Sequence, residues 1–487
     1  MAGKSQKNNT LITICPLWAV ILVFLLGAAT PLCFAPYFHW WLLFPIYSGL
    51  FWLIYNTDKS RHAFGIATAF GAGMYLTAFH WLVEPVHDFI QTYVEAGHLS
   101  TSALAGAILF LFALGLILPL ATACWLFFQL RLRCPVMLQP WLFAACIVVA
   151  EWLRGIPFWP FLPWNMSGYA WANTLPLLQL ASIGGIGLIS FLALGMAASF
   201  TQRKQAIIAV SILAICYAFG AWRLETAPPL DPPSSGLQLR LVQTAFPYST
   251  SLSKSVRMQM FLDLWHVSRD PAEQPIDILL WPEGSVSFFL EEEPGIRQKL
   301  EMLTPTVIFG SIAKTETHYF NTIRYKPAGQ PLGDSQVRKN IPVPLAEALP
   351  FADSLSSFLP QFHPISSSTN MPYLNTELGR VLVLNCFEAL FSRQIWRYGG
   401  KADTLLHITN DNWYANSIAA EQFFYIARVR AVEAGKPLLR VANAGISGVI
   451  DGYGRIHHRF DPQEIDTSHD VMIAPDTLAA PDTVFTR

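Results

Sequence analysis

The stretch Ala227-Pro228-Pro229-Leu230-Asp231-Pro232-Pro233-Ser234-Ser235-Gly236 decides how this chain is read. Its closely spaced prolines suit neither a helix interior nor a sheet interior, so it reads as an extended linker over 228–237. The two sides of it differ sharply in charge. Of 32 Lys and Arg and 33 Asp and Glu, residues 1–227 hold 10 and 6, which leaves 22 and 27 for residues 228–487. The overall 53% hydrophobic and 13% charged content is therefore an average over two unlike parts. That composition excludes a disordered chain. A net charge of −1 excludes a basic nucleic-acid binder and points to no charged partner.

Before the linker, apolar runs lie near 11–29, 38–55, 63–83, 102–129, 136–153, 175–200 and 205–222. Most approach the ~20 residues a helix needs to cross a bilayer. The first run lacks a small-residue cleavage site and six more follow it, so it reads as an anchor and not as a signal peptide. Lys4 and Lys7, Lys59 and Arg61, Arg131 and Arg133, and Arg203 and Lys204 fall in alternate loops, which places those loops on the cytoplasmic side. The opposite loops are poor in basic residues, and the 84–100 loop carries Glu84, Asp88 and Glu95. Seven crossings then put residues 238–487 outside, in the periplasm of a bacterium. Small residues (Gly71, Ala72, Gly73; Gly184, Gly185, Gly187) suit a packed bundle of about seven spans over 1–227. A single helix would serve as an anchor, so a bundle suggests access for lipid.

After the linker, strands and helices alternate. Strands are expected at Gln238–Thr244, Ile276–Trp281, Thr306–Ile312, Tyr319–Tyr325, Arg380–Cys386, Thr404–Thr409, Leu438–Ala442 and Ser447–Asp451. Helices are expected at Lys254–Arg269 and Ala419–Gly435. This is a layered α/β domain. No apolar run of about 20 residues follows residue 236, so the C-terminus is expected to be periplasmic as well.

Six of the seven cysteines, Cys15, Cys33, Cys124, Cys134, Cys146 and Cys216, fall in or beside the apolar runs, where they read as small packing residues. Cys386 stands alone in the second part, at the end of an apolar strand, where α/β folds place ligands. It is either a reactive thiol or an inert buried one. Activation would need a partner, and a carboxylate with a lysine is one combination. Glu283 ends another strand after Trp281-Pro282, and Lys339 sits in a loop stiffened by Pro342 and Pro344. Taken singly, a surface ion pair explains Glu283 and solvent exposure explains Lys339 equally simply. No metal signature is present, and His80 and His87 read as packing or interfacial residues.

Together these segments resemble the apolipoprotein N-acyltransferase family, a membrane branch of the nitrilase superfamily. The matching stretches are Trp281-Pro282-Glu283, Lys339 to Glu347, Asn385-Cys386-Phe387-Glu388, Asn410-Asp411-Asn412-Trp413-Tyr414, Ala427 to Glu433 and Pro437 to Asn443. In the first part they are Phe34-Ala35-Pro36, Glu151-Trp152-Leu153-Arg154-Gly155, Pro163-Trp164 and Gly168-Tyr169. The resemblance implies an αββα-sandwich with Glu283 as general base, Lys339 as electrostatic stabiliser and Cys386 as nucleophile. It implies supporting roles for Glu347, beside the lysine, and for Glu388, and the N–H of Phe387 is a candidate oxyanion donor. Asn412, Trp413 and Tyr414 become candidate substrate contacts. Trp413 and Tyr414, with Phe423 and Phe424, are candidates to face the lipid interface, although core packing accounts better for the two phenylalanines. The implied reaction moves an acyl chain from a phospholipid, usually phosphatidylethanolamine, through a cysteine thioester to the α-amino group of a diacylglyceryl apolipoprotein. It needs no cofactor, and it implies a bacterial inner-membrane enzyme with its catalytic domain in the periplasm.

This sequence departs from the family pattern in four places. Phe387 replaces a tyrosine, and Pro344-Leu345-Ala346-Glu347 replaces Pro-Phe-Gly-Glu. Asn412 and Tyr414 replace a small residue and a phenylalanine, and the family's eighth span is not evident before Arg487. Two other readings remain open at this level. One is a membrane-tethered amidase that releases its acyl group to water. The other is an inactive scaffold that binds lipoproteins.

Overall fold

The computed structural model describes residues 17–93, 98–156, 162–228, 236–247, 252–269, 275–344, 346–348, 363–414, 417–461 and 472–478. Most of the proline linker, Lys4, Lys7, Cys15, Glu95, Leu345 and the last residues, 479–487, lie outside this set. The chain divides into two compact units. One comprises residues up to Val83, Leu104–Leu180 and Ile186–Gly220; the other comprises Glu84–Ala103, Ala181–Gly185 and Ala221 onward.

Every apolar run carries a helix: α1 (Leu17–Ala29), α2 (Leu43–Asn56), α3 (Ser60–Ala78), α5 (His98–Leu130), α6 (Gln139–Leu153), α7 (Ala181–Ser199) and α8 (Arg203–Glu225). Among the described residues, four helices are long and apolar enough to cross a membrane, or five if α3 and the bent helix that follows it form one span. The other two, α1 and α2, are shorter. The stretch 84–100, read above as a loop, is largely helical: α4 runs Val83–Tyr93, and α5 begins at His98. Glu84 and Asp88, which suggested a loop, lie on an amphipathic helix, and Glu84 sits in its first turn, where the helix dipole favours a carboxylate.

Within the helical unit, Gly27 on α1 and Gly73 on α3 let two backbones touch. A Cβ on Gly73 would lie 2.0 Å from the Phe24 carbonyl oxygen, and one on Gly27 would lie 2.0 Å from that of Phe70. Only glycine permits that approach, which is the packing expected of membrane helices. Glu151 is buried and accepts from both the amide (2.8 Å) and hydroxyl (2.6 Å) of Ser167, tying α6 to the Ser167–Trp171 turn. Large apolar side chains such as Leu111, Ile207 and Ile215 are exposed, as a lipid-facing surface requires. The chain is a membrane protein.

The second unit holds two sheets. The first has the order β13-β1-β2-β4-β5-β6, with β3 also paired to β4. Its strands are β1 (Leu237–Gln243), β2 (Ile278–Leu280), β3 (Val286–Phe289), β4 (Thr306–Lys314), β5 (Tyr319–Lys326), β6 (Gln336–Arg338) and β13 (Met472–Leu478). The second has the order β12-β11-β10-β9-β8-β7. Its strands are β7 (Tyr373–Thr376), β8 (Gly379–Asn385), β9 (Thr404–Asn410), β10 (Leu438–Asn443), β11 (Ser447–Ile450) and β12 (Ile456–Phe460). The central strands β1, β2 and β4, and β8, β9 and β10, run parallel.

The alternation of side chains assigns the layers. Leu239, Leu241, Ile278 and Ile308 from the first sheet meet Val381, Val383, Leu406, Ile408, Leu439 and Val441 from the second. The outer face of the first sheet packs Leu279, Trp281, Val307 and Phe309 under α9 (Lys254–Val267) and α10 (Pro294–Glu301). The outer face of the second sheet lies under α12 (Ile418–Ala434), which follows the short α11 (Ser392–Tyr398). The result is an αββα-sandwich. Ser253 and Ser417 cap α9 and α12 by accepting from Val256 and Ala419 amides.

Candidate active site

The carboxyl ends of the parallel strands converge at one end of the space between the sheets. Glu283 follows β2, Lys339 follows β6, and Cys386 follows β8. The β2 exit is tight because β4 runs against it: a Cβ on Gly310 would lie 2.6 Å from the Glu283 Cα, so glycine is required there. Neither Glu283 nor Lys339 is at the surface. Lys339 is 1% and Glu283 8% exposed, which overturns the surface ion pair and the solvated lysine. The apolar walls of both sheets draw these residues inward, and mutual pairing offsets the cost of burying them.

Lys339 Nζ lies 3.2 Å from Glu283 Oε1, and 3.0 and 2.8 Å from the two Glu347 oxygens. Glu347 also accepts from the Val343 amide at 2.7 Å and so closes its own loop. Asn321, on β5, donates to Glu283 at 2.6 Å and to Glu347 at 3.0 Å, and accepts from Asn385 at 3.1 Å. The second Glu283 oxygen accepts from the Asn410 amide at 2.7 Å. Glu283 is thus held from three directions. Burial opposes charge on Lys339, but the two carboxylates outweigh it and hold the ammonium well above its ordinary range.

Cys386 opens the Cys386–Leu390 turn with φ +51°, a left-handed conformation that a non-glycine residue adopts only under constraint. Burial and the Glu283 carboxylate push its thiol far above the ordinary range, against the pull of Lys339 and a hydrogen bond with Thr409. The resting group is a thiol facing a carboxylate and an ammonium. Such an arrangement serves a nucleophile whose proton leaves only as it attacks.

Glu388 does not join that group directly. It accepts from the amides of Asn385 (2.9 Å), Asn340 (2.7 Å) and Ile341 (3.1 Å), so one carboxylate clamps the Cys386 turn to the lysine loop. Burial pushes it up to about 7, against those N–H donors and Lys339. Phe387 is buried, with its ring edge-on to Phe391 at 5.3 Å. Asn412, Trp413 and Tyr414 form a half-buried turn. The Tyr414 hydroxyl donates to Asp411 at 3.1 Å, so it is turned inward. Phe423 and Phe424 are core residues on α12.

A second network was not anticipated. His407 on β9, Arg440 on β10 and Asp411 just past β9 are all fully buried. Arg440 lies 2.6 Å from His407 Nδ1 and 2.5 Å from Asp411. Burial and Arg440 push His407 well down, and burial raises Asp411 against Arg440, Thr409 and Tyr414. The available signal was an ionisable residue inside each apolar strand, in Leu405-Leu406-His407-Ile408 and Leu438-Leu439-Arg440-Val441. Asn321 was missed too, although it shares a strand face with the core residue Ile323.

Residues 26–199 match the model of the apolipoprotein N-acyltransferase N-terminal domain, and residues 240–474 match that of the carbon-nitrogen hydrolases. An apolipoprotein N-acyltransferase of Sinorhizobium medicae is 30% identical over 473 residues, covering 88% of this chain and 85% of that one. The chain belongs to the apolipoprotein N-acyltransferase family. A Rickettsia typhi member is 28% identical, covering 96% of this chain and 94% of its own. A Rhizobium meliloti member is 33% identical over 63% of this chain and 62% of its own length. Both compact units contain family-matched sequence, so the helical unit is as characteristic of the family as the sandwich.

Proposed function

We propose that this chain N-acylates lipoproteins by a two-step transfer through Cys386. Glu283 takes the thiol proton as Sγ attacks the ester carbonyl of a phospholipid. Lys339 and the Phe387 N–H stabilise the oxyanion. The lyso-phospholipid oxygen then leaves with the proton held by Glu283, and the acyl chain stays on sulfur as a thioester. In the second half, the α-amino group of a diacylglyceryl N-terminal cysteine attacks the thioester and passes a proton to Glu283. The new amide forms as the C–S bond breaks, and the thiol is restored.

The observation that carries this reading is Lys339, buried between Glu283 and Glu347, on the loop that Glu388 clamps to Cys386. The donor is phosphatidylethanolamine, and the substrate contacts are Asn412, Trp413 and Tyr414. The alternating basic loops support an inner-membrane orientation with residues 238–487 in the periplasm. Both substrates carry acyl chains whose extraction into water costs about 0.8 kcal/mol per CH₂, which favours a reaction centre at the bilayer surface.

The decisive assay supplies phospholipid and a diacylated lipopeptide to wild type and to Cys386→Ala. Loss of N-acylation in the variant is expected; an undiminished rate would sink the reading. With phospholipid alone, intact-protein mass spectrometry should find one acyl adduct on Cys386. Turnover of small amides without lipopeptide would instead indicate an amidase.

A further inference from the structure

Strand β8 ends at Asn385, and the chain swings at once into the turn that begins with Cys386 at φ +51°. A left-handed conformation is costly for a non-glycine residue, so neighbouring contacts must hold it. On one side, the Glu388 carboxylate accepts from the Asn385 amide. On the other, His407 Nε2 lies 3.1 Å from the Cys386 carbonyl oxygen.

The environment of His407 defines what that contact is. His407 pairs in register with Leu384 on β8 and with Arg440 on β10. Its neighbours Leu406 and Ile408 face the space between the sheets, so His407 faces α12, where Phe423 packs edge-on at 4.9 Å. A guanidinium only donates. The Cys386 carbonyl oxygen only accepts, so Nε2 carries the proton, and the Arg440 guanidinium, 2.6 Å from Nδ1 and 3.3 Å from Nε2, disfavours a second proton on the ring. Arg440 is itself fixed by Asp411 and by the Ile446 carbonyl at 2.8 Å, and Asp411 by Thr409 at 2.8 Å.

We infer that His407 is a positioning residue for the nucleophile, kept neutral by Arg440, and that it orients the Cys386–Phe387 peptide for catalysis. That peptide is planar, so its carbonyl and its N–H leave on opposite sides. A carbonyl held on the α12 side of the sheet directs the Phe387 N–H to the side of Glu283 and Lys339, where the oxyanion forms. This inference rests on the reading of Cys386 as the nucleophile.

The test uses the full chain in detergent with phospholipid and diacylated lipopeptide, comparing wild type, His407→Leu and His407→Gln. Leucine removes the donor. The glutamine amide both accepts from Arg440 and donates to the Cys386 carbonyl. Outright removal of an oxyanion donor costs roughly 10²–10³ in rate, and a misdirected one should cost less, about 10–100-fold. The leucine variant should therefore lose about that much in kcat and in single-turnover acylation of Cys386, with KM nearly unchanged. The glutamine variant should stay within a few-fold of wild type. A folded leucine variant that acylates at the wild-type rate, or equal losses in both variants, overturns the inference.

Should the leucine variant fail to fold, the ¹⁵N imidazole shifts of the wild type decide, with the His407 signal assigned by its loss in His407→Gln. A neutral Nε2–H ring from pH 5 to 8 is expected. An Nδ1–H ring, or protonation in that range, overturns it. An acyl adduct on wild-type Cys386 keeps the two questions separate: without one the nucleophile reading falls, and this inference with it.

Discussion

Two buried ionic clusters flank Cys386, and they are built differently. On the inter-sheet side, one ammonium, Lys339, is shared by two carboxylates, Glu283 and Glu347. On the α12 side, one guanidinium, Arg440, is matched by one carboxylate, Asp411, and touches a neutral imidazole, His407. The first cluster carries a surplus carboxylate next to a thiol, which is what a proton acceptor for an attacking sulfur requires. The second is balanced, so it has no charge to move; what it supplies is fixed geometry. On the proposed mechanism, the contrast separates groups that react from groups that hold the reacting atoms.

The hardest blow to the first cluster is Lys339→Met. It leaves Glu283 and Glu347 facing each other without their cation. Removing one partner of a buried ion pair costs about 3–5 kcal/mol, and loss of an oxyanion stabiliser costs roughly 10²–10³ in rate. N-acylation of a lipopeptide should fall at least that far in folded protein. Turnover within tenfold of wild type would show that Lys339 only packs.

The corresponding change in the second cluster is Asp411→Asn, which keeps shape and removes charge. Arg440 is then buried without a counter-ion, and stability should drop by about 3–5 kcal/mol, read as a lower Tm. Turnover per folded molecule should fall much less than in Lys339→Met. An unchanged Tm would mean that the balance of this cluster has no structural value, and the comparison would break.

The two clusters also differ in how far they could be read from residue order. Trp281-Pro282-Glu283 and Asn385-Cys386 mark strand ends by pattern, and strand ends in α/β folds gather at one edge. The helical runs were legible for the same reason, since apolar length is a one-dimensional signal. The 84–100 stretch was not, because an amphipathic helix and a polar loop share a composition when the period is overlooked. His407 and Arg440 escaped because they matter through lateral register between β9 and β10, which no single strand contains. Short strands such as β6, with three residues, are defined by their partners more than by their own residues. Glu388 was visible as a motif residue, but its task of joining two distant loops was not.

That task gives a pH-dependent prediction. Burial raises Glu388 to about 7, from an ordinary carboxyl value of 4.5. Between those values the folded chain holds a proton that the unfolded chain has lost. The resulting stabilisation is present in full below about 4.5 and fades as pH rises through about 7; linkage puts it on the order of 3 kcal/mol. The Tm difference between wild type and Glu388→Gln should therefore vary between pH 4.5 and 8, in the direction that favours wild type at the acid end. A constant difference across that range would show that Glu388 stays ionised throughout, as its N–H donors alone would favour. It would then belong with the charged first cluster and not with the groups that hold geometry.

The smallest expected effect concerns Phe387, between the two clusters. Its ring is buried against Phe391, and the role assigned to this residue belongs to its backbone N–H. Phe387→Tyr adds a hydroxyl without moving that N–H, so kcat should change by less than about fivefold, the span of one ordinary hydrogen bond near 0.5–1 kcal/mol. A larger gain would mean that the hydroxyl reaches the reacting carbonyl, and oxyanion stabilisation would then be shared by a side chain. A large loss with unchanged Tm would mean that the added oxygen displaces substrate. Either result would move the boundary between reacting and holding groups by one residue, from the peptide of Phe387 to its ring.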